Sequence, residues 1–94
     1  MSIGLLTLHI HVPGCASLKE KRRRIKPLLA RLHREFNIST AEVDLNDTWQ
    51  SAVIACAYVS NDPKHVRQSL LKVIAWVERH WPDLEIMDDR VEIL

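Results

Sequence analysis

Ninety-four residues, 47% apolar and 27% charged, have the balance of one ordinary globular domain and leave no room for a second. Two cysteines, Cys15 and Cys56, exclude a disulfide framework and a CxxC metal knuckle, and no apolar run nears the ~20 residues of a membrane span. A formal net charge of +1, with no basic leader or cleavage site at the N-terminus, points to a soluble, reduced, cytoplasmic protein without a membrane partner.

Ile3–Val12 alternates, with Leu6, Leu8, Ile10 and Val12 on one side and Leu5, Thr7, His9 and His11 on the other; this is a strand with one apolar face. Pro13-Gly14 stops it. Ser17-Leu18-Lys19-Glu20 has the form of a capping box, in which the serine hydroxyl and the glutamate carboxylate each satisfy a free amide. From there Leu18, Ile25, Leu28, Leu29, Leu32 and Phe36 share one arc of a helix that runs to Phe36. Pro27 falls opposite that stripe, where water can hydrate the carbonyl it frees, so one kinked helix is expected rather than two. Asn37 ends it.

Ile38–Leu45 reads as a second strand with Ala41, Val43 and Leu45 turned inward, and Asn46-Asp47 as the turn after it. Ser51–Ser60 is nearly all apolar, which suits a central strand, with Ile54, Cys56 and Tyr58 facing the helices. Asn61-Asp62-Pro63 caps a second helix whose face is Val66, Leu70, Val73, Ile74, Val77 and Trp81. Pro82 ends it, and Leu84–Leu94 supplies an acidic last strand. The order β-α-β-β-α-β predicts an α+β, ferredoxin-like sandwich: a four-stranded antiparallel sheet with two helices on one face.

Charge is unevenly spread. Between Lys19 and Glu35 eight basic residues stand against two acidic ones, a local +6, whereas Asp83–Glu92 holds five acids against Arg90. Lys19, Arg23, Arg24, Lys26, Arg31 and Arg34 spread opposite the apolar stripe, and Lys21 and Arg22 flank it. Cations on a rigid helix suit phosphate contacts, since each releases a counterion condensed on a nucleic acid. Lys19, Lys21, Arg22, Arg23, Lys26, Arg31 and Arg34 are therefore the candidate nucleic-acid-binding residues. The plainer alternative is a solvated face whose long stems cover apolar neighbours.

Other chemistry lacks a complete set of residues. His9 and His11 project from the same face of a strand, yet no further ligands at metal-binding spacing accompany them. Cys15 precedes a cation-rich helix start, a setting that activates thiols, but no base is assigned to it; Cys56 reads as core. One glycine before the first helix makes neither a P-loop nor a dinucleotide fingerprint. Acylphosphatases share the element order, but their glycine-rich phosphate loop ending in arginine is not matched by Pro13-Gly14-Cys15-Ala16-Ser17. RNA-recognition motifs stack bases on strand aromatics; the corresponding Thr7, His9, His11, Val53, Ala55 and Ala57 include none. No catalytic residue, cofactor or metal is expected. Of the three tryptophans, Trp81 belongs to the core stripe, whereas Trp76 and Trp49 fall at its rim and in a turn.

Pro13-Gly14, Ser17-Leu18-Lys19-Glu20-Lys21-Arg22-Arg23, Ala41-Glu42-Val43-Asp44, Trp49-Gln50 and Val59-Ser60-Asn61-Asp62 resemble, in this order and over essentially the whole chain, the YlxP-like proteins. These are small bacterial proteins of unknown function. The resemblance implies a ferredoxin-like fold and a bacterial cytoplasmic setting. It also implies a place near translation, because members are often encoded beside translation factors and ribosome-binding factor A. No catalytic residues carry over. Two functions are expected to compete: a protein that binds structured RNA or the ribosome through its basic first helix, and a homodimeric interaction module joined through the open sheet face.

Overall fold

The alternation of the first ten residues becomes β1, Ser2–His11, in which Leu6, Leu8 and Ile10 are fully buried while Leu5, Thr7, His9 and His11 stay half-exposed. The computed structural model describes residues 1–94 and continues with α1 (Leu18–Phe36), β2 (Ser39–Asp44), β3 (Ser51–Ser60), α2 (Pro63–His80) and β4 (Glu85–Ile93). All three strand pairings are antiparallel, in the order β2-β3-β1-β4, and both helices pack against the sheet. This is the ferredoxin-like arrangement that the element order predicts.

Local signals set the helix ends. The Ser17 hydroxyl accepts from the Glu20 amide at 3.1 Å, and Glu20 Oε2 reaches back to the Ala16 amide at 2.9 Å, a capping interaction displaced by one residue at its return arm. Asn37 closes α1 in the left-handed conformation (φ 53°, ψ 47°), its amide donating to the His33 carbonyl. Pro27 lies on the exposed side, and α1 passes through it unbroken. Asp62 and Pro63 begin α2 as cap and first residue.

Val66, Leu70, Val73 and Val77 of α2 meet Leu6, Leu8, Ile10, Ala52, Ile54 and Cys56 of the sheet, and Ile25, Leu28 and Leu32 of α1 complete the core. Each buried valine, leucine or isoleucine among them contributes about 1.5–3 kcal/mol by leaving water. Gly4 lets α2 pack closely on β1: a Cβ there would overlap Val66 Cγ1 and stand 2.8 Å from Leu70 Cδ1.

The second strand departs from its expected orientation. Ala41 and Val43 are exposed, and Thr40 and Glu42 turn toward the helices, opposite the buried Cys56 and Ile54. The cause is polar. Thr40 Oγ1 donates to the Leu29 carbonyl at 3.1 Å, and Glu42 meets a lysine of α1, so an edge strand beneath a helix is held by a hydrogen bond and an ion pair where apolar burial was expected. Leu45, also expected in the inner set, lies beyond the strand in the β2–β3 turn.

Candidate nucleic-acid interface

Helix α1 carries its cations on three rows with different fates. Lys19, Arg22, Arg23, Lys26 and Arg34 are exposed. Arg24 is drawn sideways, donating to the Pro13 carbonyl at 2.7 Å and the Asp83 carbonyl at 3.2 Å, and so ties α1 to two loops. Arg31 pairs with Glu35 at 3.3 Å, its guanidinium carbon 5.4 Å from the centre of the Trp76 ring.

Lys21 is withdrawn from the surface altogether, which corrects its place among the candidate binding residues. It is 1% exposed; its ammonium stands 2.7 Å from Glu42 Oε2 and donates to the carbonyls of Leu45 (2.8 Å), Asn46 (3.3 Å) and Ser51 (3.2 Å). Three carbonyl acceptors and the carboxylate's opposite charge offset the cost of taking the ammonium from water. The signal was in the spacing, since Lys21, Ile25, Leu28 and Leu32 form one helical row of which a lysine is the first member.

The second helix contributes what the run of charge in α1 concealed. Lys64, Arg67, Lys72 and Arg79 are all exposed. Twelve of the thirteen Lys and Arg residues lie on α1 and α2, against three acids there (Glu20, Glu35, Glu78), a balance of +9. The strands and loops hold the other nine acids and a single cation, Arg90, a balance of −8. A sequence total of +1 is thus the sum of a strongly cationic pair of helices and an acidic remainder.

Two shallow clefts interrupt the helix layer. One of about 240 Å³ is bordered by Arg23, Arg24, Pro27, Trp81, Asp83 and Leu84, the other of about 250 Å³ by Phe36, Lys72, Ala75, Trp76 and Arg79. Their aromatics are occupied within the protein: Trp76 stacks on His80 at 4.7 Å, meets Phe36 edge-on at 5.8 Å and lies 5.8 Å from Trp81. Trp49, by contrast, is 52% exposed in the turn between β2 and β3.

On the open face of the sheet, Ala41, Ala55, Thr7 and Arg90 form one cross-strand row and Ser39, Ala57, Leu5 and Glu92 the next. His9 pairs with Asp88 and His11 with Glu85, and no group of three or more metal-ligating side chains comes together. Cys15 is buried, its thiol donating to the Ser17 carbonyl at 3.3 Å. Cys56 lies in the core, where burial pushes its thiol up to about 12 and keeps it protonated at neutral pH. No helix is long and apolar enough to cross a membrane.

Fold and surface together define a small α+β sandwich whose cations are concentrated on the helices and whose acids lie mostly on the strands and loops. The chain belongs to the family described as "Protein of unknown function (DUF503)", whose model matches residues 3–91. It is also 32% identical over 90 residues to "Uncharacterized protein YlxP" of Bacillus subtilis (strain 168), a match that covers 96% of this chain and 97% of that protein. The YlxP-like resemblance carried by the SLKEKRR run and the VSND turn is thereby shown.

Proposed function

We propose that this protein is a cytoplasmic RNA-binding protein, acting on structured RNA or the ribosome by binding rather than by catalysis. Its contacts are to phosphates, through Lys19, Arg22, Arg23, Lys26 and Arg34 of α1 and the exposed cations of α2. The observation that carries the reading is the partition of charge between the helices and the rest of the chain, +9 on the helices against −8 elsewhere. A field so divided steers a polyanion to one side of the molecule and away from the other. The packed state of Trp76 and Trp81 supports contacts to the backbone over contacts to bases on this layer.

The test is a titration of ribosomal RNA and of ribosomes at several salt concentrations. With four to six phosphates engaged, log K falls against log salt with a slope of roughly −3 to −5. Replacing Arg23, Lys26 and Arg34 with Gln weakens all RNAs alike and flattens the slope by up to about 3. Absence of binding at about 50 mM salt overturns the reading.

A second reading rests on the open sheet face. There a depression of about 190 Å³ lies over Ser39, Ala41, Ala55 and Ala57, with Leu5 in the same cross-strand row as Ala57 and Val53 on the same face of β3. A second copy of the chain, related by a two-fold axis, is the occupant that such a short-side-chain apolar face fits. Light scattering distinguishes a dimer from the 10.9 kDa monomer, and Ala55→Glu dissociates the dimer by burying an unpaired charge.

A further inference from the structure

We propose that Trp49 is a stacking platform for an unpaired base of the RNA whose phosphates the helix layer holds. The proposal rests on the RNA reading above and deepens it.

Trp49 differs from the other two tryptophans in every respect that bears on recognition. Trp76 and Trp81 pack against each other, and Trp76 also against Phe36, His80 and Arg31, whereas Trp49 is half exposed and pairs with no other ring. The loop that displays it is held far more firmly than a turn of its length requires. Lys21 reaches from α1 to the carbonyls of Leu45, Asn46 and Ser51; the Thr48 amide donates to the Leu45 carbonyl at 2.9 Å; and the Leu45 amide donates to Asp44 Oδ1 at 2.8 Å. On the far side of the tryptophan, the Gln50 carbonyl accepts from the Val12 amide at 2.8 Å and Gln50 Nε2 donates to the Cys15 carbonyl at 3.3 Å. Gln50, after the tryptophan, is therefore fixed directly to the body of the protein, and Thr48, before it, is tied to the Leu45 carbonyl that Lys21 also holds.

The loop also contains backbone strain. Leu45 adopts φ 57°, the left-handed region that a leucine enters only at a cost. A connection free to choose would put glycine or asparagine there, and Asn46 is the next residue. Lys21 and Thr48, both donating to the Leu45 carbonyl, hold this conformation in place. A loop whose backbone is already anchored gives up little freedom on binding, so the exposed indole is available to a flat partner at reduced entropic cost.

Position supplies the class of partner. The loop's anchor, Lys21, belongs to the first turns of α1, beside the exposed Lys19, Arg22 and Arg23, so the indole stands at the same end of the molecule as the start of the phosphate-binding row. Asp47, exposed in the same loop, disfavours phosphate at the loop itself. The chemistry that suits both regions is one RNA strand whose backbone follows α1 and whose splayed base lies on Trp49, because every base presents a π-face while the carboxylate repels only the backbone.

The experiment compares two labelled RNAs by fluorescence anisotropy at fixed low salt, using the full chain: a stem with an unpaired loop of about eight nucleotides, and a blunt duplex of equal length. Trp49→Ala is expected to weaken the stem-loop by roughly 5- to 100-fold, the range seen for a single base–aromatic stack, and to leave the duplex unchanged. Trp49→Phe retains most of the affinity, and the salt slope is the same in all three proteins, since no phosphate contact is lost. Thermal unfolding of the variants checks that the fold is intact. Equal affinity of Trp49→Ala and the unaltered protein for the stem-loop overturns the proposal and leaves the RNA reading standing, with Trp49 then a contact for a protein. An equal loss on both RNAs overturns stacking as the cause. If the unaltered protein binds neither RNA while its fold is intact, the RNA reading and this inference fall together.

Discussion

On the helix layer the charged groups are mostly long cationic side chains set on exposed rows, while the open face of the sheet presents short side chains on β2 and β3, Leu5, Thr7 and two histidines on β1, and mostly acids on β4. Within α1 the same contrast recurs at the scale of one turn. Lys21 is enclosed by a carboxylate and three carbonyls, and Arg23, two residues later, stands in solvent. Residue type therefore does not separate structural cations from those free to meet a partner. Position on the helix, and what the neighbouring strand presents to it, makes the difference.

The largest effect expected on this contrast comes from breaking the buried pair. Lys21→Met leaves Glu42 and three backbone carbonyls without their shared partner and costs about 3–5 kcal/mol of stability in urea unfolding. Adding Glu42→Leu recovers most of that loss, because no uncompensated charge remains inside. A single-variant cost below about 1 kcal/mol means that Lys21 does not anchor the loop.

A smaller loss is expected where α2 meets β1. Gly4→Ala places a methyl against Val66 and Leu70 and costs about 1–3 kcal/mol, measured as a lower unfolding midpoint at unchanged m-value. An unchanged midpoint means the helix shifts freely, and the close contact is then not a constraint.

Alternation along β3 gives a contrast that pH can resolve. Cys56 lies under the helices, whereas Ala55 and Ala57 face outward. The folded thiol is raised to about 12 by burial. Below the ordinary cysteine value both states keep the proton; above it the unfolded chain releases its proton and the folded chain does not. Stability therefore falls as pH rises from about 9 toward 12, by up to about 1.4 kcal/mol for each unit. Cys56→Ala removes this component of the slope, and an identical slope in that variant refutes the assignment.

The smallest effect belongs to the exposed row. Arg23→Gln, Lys26→Gln and Arg34→Gln each change stability by no more than about 0.5 kcal/mol, in contrast to Lys21 on the same helix. A loss above about 1 kcal/mol for any one of them places that side chain in the structural set with Arg24 and Lys21.

Much of this architecture was legible from local patterns. The limits of α1, the asparagine that ends it, the Asp62-Pro63 start of α2 and the whole of β3 follow from capping chemistry and from periods of two and 3.6 residues, which act within a few positions of the chain. The inner face of β2 was not legible in this way. Ala41 and Val43 are the apolar choice by alternation, but an edge strand of six residues with a helix above it is oriented by what that helix offers. Here α1 offers a carbonyl to Thr40 and an ammonium to Glu42.

By itself, then, the sequence determined the order of elements, the ferredoxin-like class, the family resemblance and the concentration of cations on the first helix, because each depends on neighbours in the chain. Tertiary structure decided which of those cations remain free, that α2 joins α1 in one +9 layer, and that Trp49 rather than Trp76 or Trp81 is the presented aromatic. The physical reason is that burial, ion pairing and the summed field of a surface arise between residues far apart in the chain: Lys21 meets Leu45 and Ser51 across 24 and 30 positions.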